Sequence, residues 1–84
     1  MEYPAPLKKL ISELKTTKDN DKLSDILWEL KIWWDQNMPK FRLEESDFEL
    51  LTQFNNDEQH IYKTESAYYA LAAVNPEWII NHKY

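Results

Sequence analysis

The stretch DKLSDILWELKIWWDQNM, residues 21–38, decides the fold. At about 100° per residue from Leu23, its apolar side chains Leu23, Ile26, Leu27, Leu30, Trp33 and Trp34 fall on one broad arc, with Met38 near the edge. That arc is core. Trp28 and Ile32 fall close to the opposite pole, and Asp25, Glu29 and Asp35 flank them. The stretch therefore reads as a helix that is apolar on two sides. Asn20 or Asp21 is a good N-cap for it. Pro39 ends it, because proline cannot continue a helix and restricts Met38 before it.

Upstream, Leu7, Leu10, Ile11 and Leu14 lie at i, i+3, i+4 and i+7, the spacing of one buried helix stripe. Pro4 and Pro6 fit the start of that helix, where a missing N–H costs nothing. The polar run from Thr16 to Asn20 breaks the pattern. Downstream, Ser46 with Glu49 spells a capping box for a third helix, whose apolar contacts are Phe48, Leu51 and Phe54. Asn55, Asn56, Asp57 and Glu58 then read as a stop and a new start, with one bent helix as the alternative. A fourth helix is predicted from about Asp57 to Val74. Ile61, Thr64, Tyr68, Leu71 and Ala72 form its main face, extended by Ala67 and Val74, and Tyr62, Tyr69 and Ala73 form a separate stripe. Asn75 and Pro76 start a short last helix reaching about His82, docked by Trp78 and Ile79. The expected architecture is all-α: one small bundle of four helices plus a short C-terminal helix.

Composition narrows the function. A chain of 84 residues is one small domain that buries only about 60–65% of its unfolded surface. It has no cysteine, which removes disulfides and thiolate zinc sites. It has no glycine, which removes phosphate-cradling loops and the nucleophile elbow. The N-terminus has no signal-peptide pattern, and the longest apolar run, Ala67 to Val74, is far short of the ~20 residues that span a bilayer. A soluble, cytoplasmic protein without membrane contact is expected.

The net charge of −5 argues against direct nucleic-acid binding. The charge is also uneven. Residues 1–18 carry a net +2, whereas residues 43–58 hold Glu44, Glu45, Asp47, Glu49, Asp57 and Glu58 with no base. That block reads either as a solvated surface, its acids favourable at a helix start, or as a docking surface for a basic partner.

No constellation supports chemistry. Asp57 and His60 share a helix face, but two ligands do not make a metal site. His82 suits a helix C-terminus as a favourable charge. Ser12, Ser24, Ser46 and Ser66 lie in no strained turn, and Glu44 and Glu45 are adjacent, which points them apart on a helix. The protein is read as a non-enzyme with no cofactor or metal.

The aromatic content is what needs a function. Four Trp, five Tyr and three Phe exceed what a minimal helical core requires. Trp28 with Ile32 lies off the core arc, and Tyr62 with Tyr69 is intermediate. An aromatic anchor ringed by charge is the composition of an interface hot spot. The alternative is a bundle that surrounds the second helix, with Trp28 covered by Tyr3 or by the C-terminal helix. As an interface, Asp25, Trp28, Glu29, Ile32 and Asp35 form the anchor, Tyr62 and Tyr69 extend it, and Glu44, Glu45, Asp47, Asp57 and Glu58 supply an acidic rim. Carboxylates beside the rings repel phosphate, so the partner expected is a basic protein, itself nucleic-acid-binding or a nuclease.

LKKLISELK (7–15), the Trp-bearing LSDILWELKIWW (23–34) and the acid-led LEESDFELLTQF (43–54) give a layout that resembles the small acidic helical immunity proteins of nuclease bacteriocins, the colicin D immunity type in particular. The resemblance covers about two-thirds of the chain and lies in element order and residue class. It implies an inhibitor that covers a toxin's basic cleft by acidic contacts. SDFEL from Ser46, His60 and Trp78 are similar to the Hha-type nucleoid modulators, although DEQHIY (57–62) stands where that family has an acid–His–Arg run. Three functions are thus in play. The first is an inhibitor or mask of a basic partner, such as an immunity, antitoxin or anti-defence protein. The second is a nucleoid or transcription modulator acting by protein contact. The third is a homo-oligomeric module self-paired through Trp28 and Ile32. The expected state is a monomer or a weak homodimer.

Overall fold

The computed structural model describes residues 2–57 and 59–81. Their order is α1 (Ala5–Thr16), α2 (Asn20–Asn37), α3 (Glu45–Phe54), α4 (Ile61–Val74) and α5 (Pro76–Asn81), the all-α bundle expected. No helix among them is long and apolar enough to cross a membrane. The assignments made to Glu58 and His82 lie outside the described residues.

The α1 stripe is buried as its spacing dictates, at Leu7, Leu10, Ile11 and Leu14. On α2, Leu23, Ile26, Leu27, Leu30 and Trp34 are buried, Trp33 is half-buried, and Met38 is 78% exposed. The cap of α2 is Asp19, one residue earlier than the sequence suggested. Its carboxylate accepts from the Asp21 and Lys22 N–H groups at 2.9 and 3.3 Å. Three cap-forming residues stand in a row at 19–21, and Asn20 is committed elsewhere, as described below.

Met38 closes α2 in the left-handed region, at φ 45° and ψ 56°, with its N–H donating to the Trp34 carbonyl at 2.9 Å. The following Pro39 excludes the α-helical alternative. A residue with a Cβ loses about 1 kcal/mol in this conformation, which glycine avoids at some entropic cost of its own. Met38→Gly is therefore expected to raise the thermal midpoint by ~2–4 °C, read by circular dichroism.

The start of α3 corrects the sequence reading. Ser46 and Glu49 do not form a capping box, because the helix begins at Glu45 with Glu44 as its cap residue. Tertiary contact sets this start. The Tyr3 hydroxyl accepts from the Glu44 N–H at 2.8 Å and donates to Asp47 Oδ2 at 2.6 Å. The other oxygen, Asp47 Oδ1, faces Lys15 Nζ at 3.0 Å in an ion pair without hydrogen-bond alignment. Groups from both ends of α1 thus converge on the first turn of α3. Burial and the bond to Asp47 push the Tyr3 phenol up to about 12. The Tyr3 ring stacks on Phe41, and Phe41 meets Trp34 edge-on at 5.7 Å, which carries the anchor into the core.

Helices α3 and α4 are separate, and α4 begins at Ile61 rather than near Asp57. Its buried positions are Lys63, Ala67, Ala70, Leu71 and Val74. Ala67, Leu71 and Val74 are buried as expected, and Lys63 and Ala70 take the places expected of Ile61 and Tyr68. Ile61 is exposed, while Tyr68 is half-buried against Trp78 of α5 at 5.7 Å. Ala67 and Ala70 take the core because α2 and α4 lie close: Ser24 Oγ is 2.9 Å from Ser66 Oγ and donates to the Tyr62 carbonyl at 3.2 Å. The contacts Asn20–Lys63, Ser24–Ser66 and Trp28–Tyr69 advance together along both helices, so the pair is parallel. The return passage through α3 makes that possible. Asn75 begins α5 through its carbonyl, which accepts from the Trp78 N–H at 3.0 Å. Its side-chain Oδ1 is buried and makes no hydrogen bond among the described residues, so the expected side-chain cap is not formed.

Candidate protein-binding face

Parallel packing of α2 and α4 joins two stripes that the sequence left apart. Trp28 meets Tyr69 edge-on, with ring centroids 5.8 Å apart at 90°. Trp28 remains 43% exposed and Ile32 38%. Neither Tyr3 nor α5 covers them, since Tyr3 lies on Phe41 and α5 packs on α4. The bundle therefore does not enclose α2 on both sides. Tyr62, two turns before Tyr69 on α4, is exposed and extends the same flank.

The charges around the anchor are specific. Asp25, Glu29 and Asp35 are exposed. Lys31, which sequence reasoning did not weigh, lies over the Trp28 ring at 5.2 Å and pairs with Asp35 at 2.8 Å. Its charge is thereby matched, whereas no ion pair reaches Asp25 or Glu29 among the described residues. On its α1 side the face opens into a groove of about 330 Å³, lined among others by Leu10, Glu13, Glu29, Ile32 and Trp33. No local pattern marks Glu13 for this place, because its position here depends on how α1 crosses α2.

The predicted acidic rim does not form one surface. Asp47 is 2% exposed and holds Tyr3 and Lys15, so it is a structural anchor and not a docking residue. Glu44 and Glu45 are exposed, but they stand beside Tyr3, whose aromatic chain leads to Trp34 on the side of α2 opposite Trp28. Asp57 is half-buried and already engaged. Its Oδ2 accepts from Lys63 Nζ at 2.7 Å, which holds its carboxyl below the usual carboxylate range. Of the described rim residues, Glu44 and Glu45 are thus the exposed acids outside these contacts between side chains, and they lie at the start of α3 beside Tyr3.

Lys63 is the residue the sequence reading missed. It is 8% exposed within an otherwise apolar stripe and is satisfied by Asp57, by Asn20 Oδ1 at 2.9 Å and by the Phe54 ring at 5.8 Å. Its spacing four residues before Ala67 was the available signal. His60 is not a helix-face residue as predicted. It precedes α4, and its Nε2 lies 3.0 Å from Asn20 Nδ2. Among the described residues, no group of three or more His, Asp or Glu side chains is placed to hold a metal ion. The chain matches no family model, and neither the curated proteins nor the solved structures hold a match to it.

Proposed function

We propose that the chain is a non-enzymatic binding module whose α2–α4 face grips a basic partner protein and masks it. One observation carries this reading: Trp28 is kept half-exposed beside Ile32 and Tyr69, with Asp25 and Glu29 open next to it. Burying a Trp, an Ile and a Tyr on contact supplies affinity. The open carboxylates favour a partner rich in Lys and Arg and speed its approach. The groove beside Ile32 suits the aliphatic stem of such a side chain, with Glu13 and Glu29 near its charged end. Masking a nuclease or another nucleic-acid-binding protein fits this chemistry, as in immunity, antitoxin or anti-defence action. Self-pairing through the same face would instead bring like carboxylates together.

The test is to capture partners from the source cell, purify the one retained and titrate it against the chain. The expected partner is strongly basic, and its affinity falls roughly tenfold or more between 50 and 500 mM salt. A neutral or acidic partner, or an affinity indifferent to salt, would sink the masking mechanism.

A further inference from the structure

The polar cluster at the start of α4 has a donor–acceptor logic that fixes one protonation state. Lys63 Nζ can only donate, and it donates to Asn20 Oδ1 at 2.9 Å and to Asp57 Oδ2 at 2.7 Å. With its oxygen engaged, Asn20 presents its NH₂ to His60, and Nδ2 lies 3.0 Å from His60 Nε2. That nitrogen must therefore accept, so His60 is a neutral imidazole carrying its proton on Nδ1. A proton on Nε2 would face the Asn20 NH₂ donor to donor. Turning the amide over would only move the clash to Lys63.

We infer that the Asn20–His60 hydrogen bond is an acid-released latch: proton uptake by His60 breaks it and loosens Asp57, Gln59 and His60 and the first turn of α4, while the rest of the bundle stays folded. The latch joins three segments: the start of α2, the residues before α4 and the first turn of α4. Asp57 ties the second of these to the third, since its carbonyl accepts from the His60 N–H at 3.1 Å and from Thr64 Oγ1 at 2.6 Å. Asn20 ties that assembly to the start of α2, through Lys63 on one side and His60 on the other, and one turn on Ser24 Oγ adds a bond to the Tyr62 carbonyl. Ile61 and Tyr62, both exposed, ride on the turn that would be released.

The groups facing His60 set the working range. Asp21 of α2 and Gln59, Ile61, Tyr62 and Lys63 line the same 250 Å³ recess. Asp57 also acts on His60 through its charge. Lys63 opposes a second positive charge nearby, and Asp57 and Asp21 favour one, but Asp57 already carries the Lys63 ion pair. Of the side-chain types that line the recess, imidazole is the one whose ordinary charge change falls between pH 5 and 8.

The experiment combines imidazole ¹⁵N spectra with amide hydrogen exchange at pH 7.5 and 5.5. Nε2 is expected to be unprotonated at pH 7.5. On acidification, protection at Thr64 and Glu65 should fall at least about tenfold relative to Leu71–Val74, after correction for intrinsic rates. Asn20→Asp puts a carboxylate where the amide was, which accepts from Lys63 and from protonated His60 alike. In that variant protection should rise on acidification instead. His60→Gln keeps an acceptor for Asn20 at every pH and should abolish the response, which also separates it from titration of His82. The proposal is overturned by a protonated Nε2 at pH 7.5, by unchanged Thr64 protection once His60 has taken its proton, or by Asn20→Asp responding in the wild-type direction.

Discussion

Asp47→Ala is expected to lower stability by about 2–3 kcal/mol, among the largest effects of any substitution at a polar side chain of this protein. The carboxylate is buried, accepts from the Tyr3 hydroxyl at 2.6 Å and faces Lys15 at 3.0 Å. Alanine leaves the Tyr3 hydroxyl without its acceptor in a half-buried place. Lys15, more than half exposed, swings into water and adds little. Hydrogen bonds to charged groups contribute about 1.5–3 kcal/mol, and the small void adds to that. In a domain of this size the thermal midpoint should drop by roughly 10–15 °C. Asp47→Asn keeps an acceptor and should cost about half as much. Urea unfolding followed by circular dichroism measures both. A cost under about 0.5 kcal/mol for the alanine variant would show that the first turn of α3 is held by something else.

The same site predicts an alkaline limb. The folded Tyr3 phenol lies at about 12, above its ordinary 10, because of burial first and the Asp47 bond second. The stability it contributes is fully present below about pH 10 and is lost as pH rises toward 12. Removing Asp47 removes one cause of the rise, so the gap between wild type and Asp47→Ala should be flat below pH 10 and narrow above it.

The parts of this architecture that local pattern encodes were legible, and those set by distant partners were not. The α1 stripe and the α2 arc follow from side-chain periodicity, and Pro39 marks the end of α2 through sterics alone. The capping box at Ser46 failed for the opposite reason. Its rival is the bond from Tyr3 to Asp47, 44 positions apart, and no window along the chain contains both. The face of α4 was placed only in part: Ala67, Leu71 and Val74 are buried as expected, but ranking by hydrophobicity favoured Ile61 and Tyr68 over Ala70. Close parallel packing on α2 selects Ala70 beside Ala67 and leaves Ile61 exposed on the flank. Asp47 was counted as a surface acid because composition records charge and not burial, and Asp57 because its pairing with Lys63, six positions on, follows no helical spacing. Trp28 and Ile32 were readable as an outward pair, since they oppose the core arc on one helix. Their junction with Tyr69 was not, because it depends on the α2–α4 register.

Truncating the outward pair is the decisive test of function. Trp28→Ala with Ile32→Ala is expected to weaken partner binding at least about 100-fold while costing no more than about 1–2 kcal/mol of stability. The stability cost is small because both side chains are more than a third exposed in the free protein. What Trp28 loses is its edge-on contact with Tyr69, about 0.5–1.5 kcal/mol, and its contact with Lys31, whose charge stays paired with Asp35. No cavity of the kind left by Leu27 or Leu30 would open, and those truncations cost about 2–5 kcal/mol. Binding should respond much more strongly, because aromatic anchors at the centre of an interface contribute about 2 kcal/mol or more each. The loss should appear as faster dissociation. Asp25→Asn and Glu29→Gln, which leave the apolar anchor intact, should instead slow association and flatten its salt dependence. Chemical unfolding and binding kinetics on the same preparations separate the outcomes. A stability loss above about 3 kcal/mol would place the pair in the core, and unaltered affinity in a folded double variant would remove this face from the function.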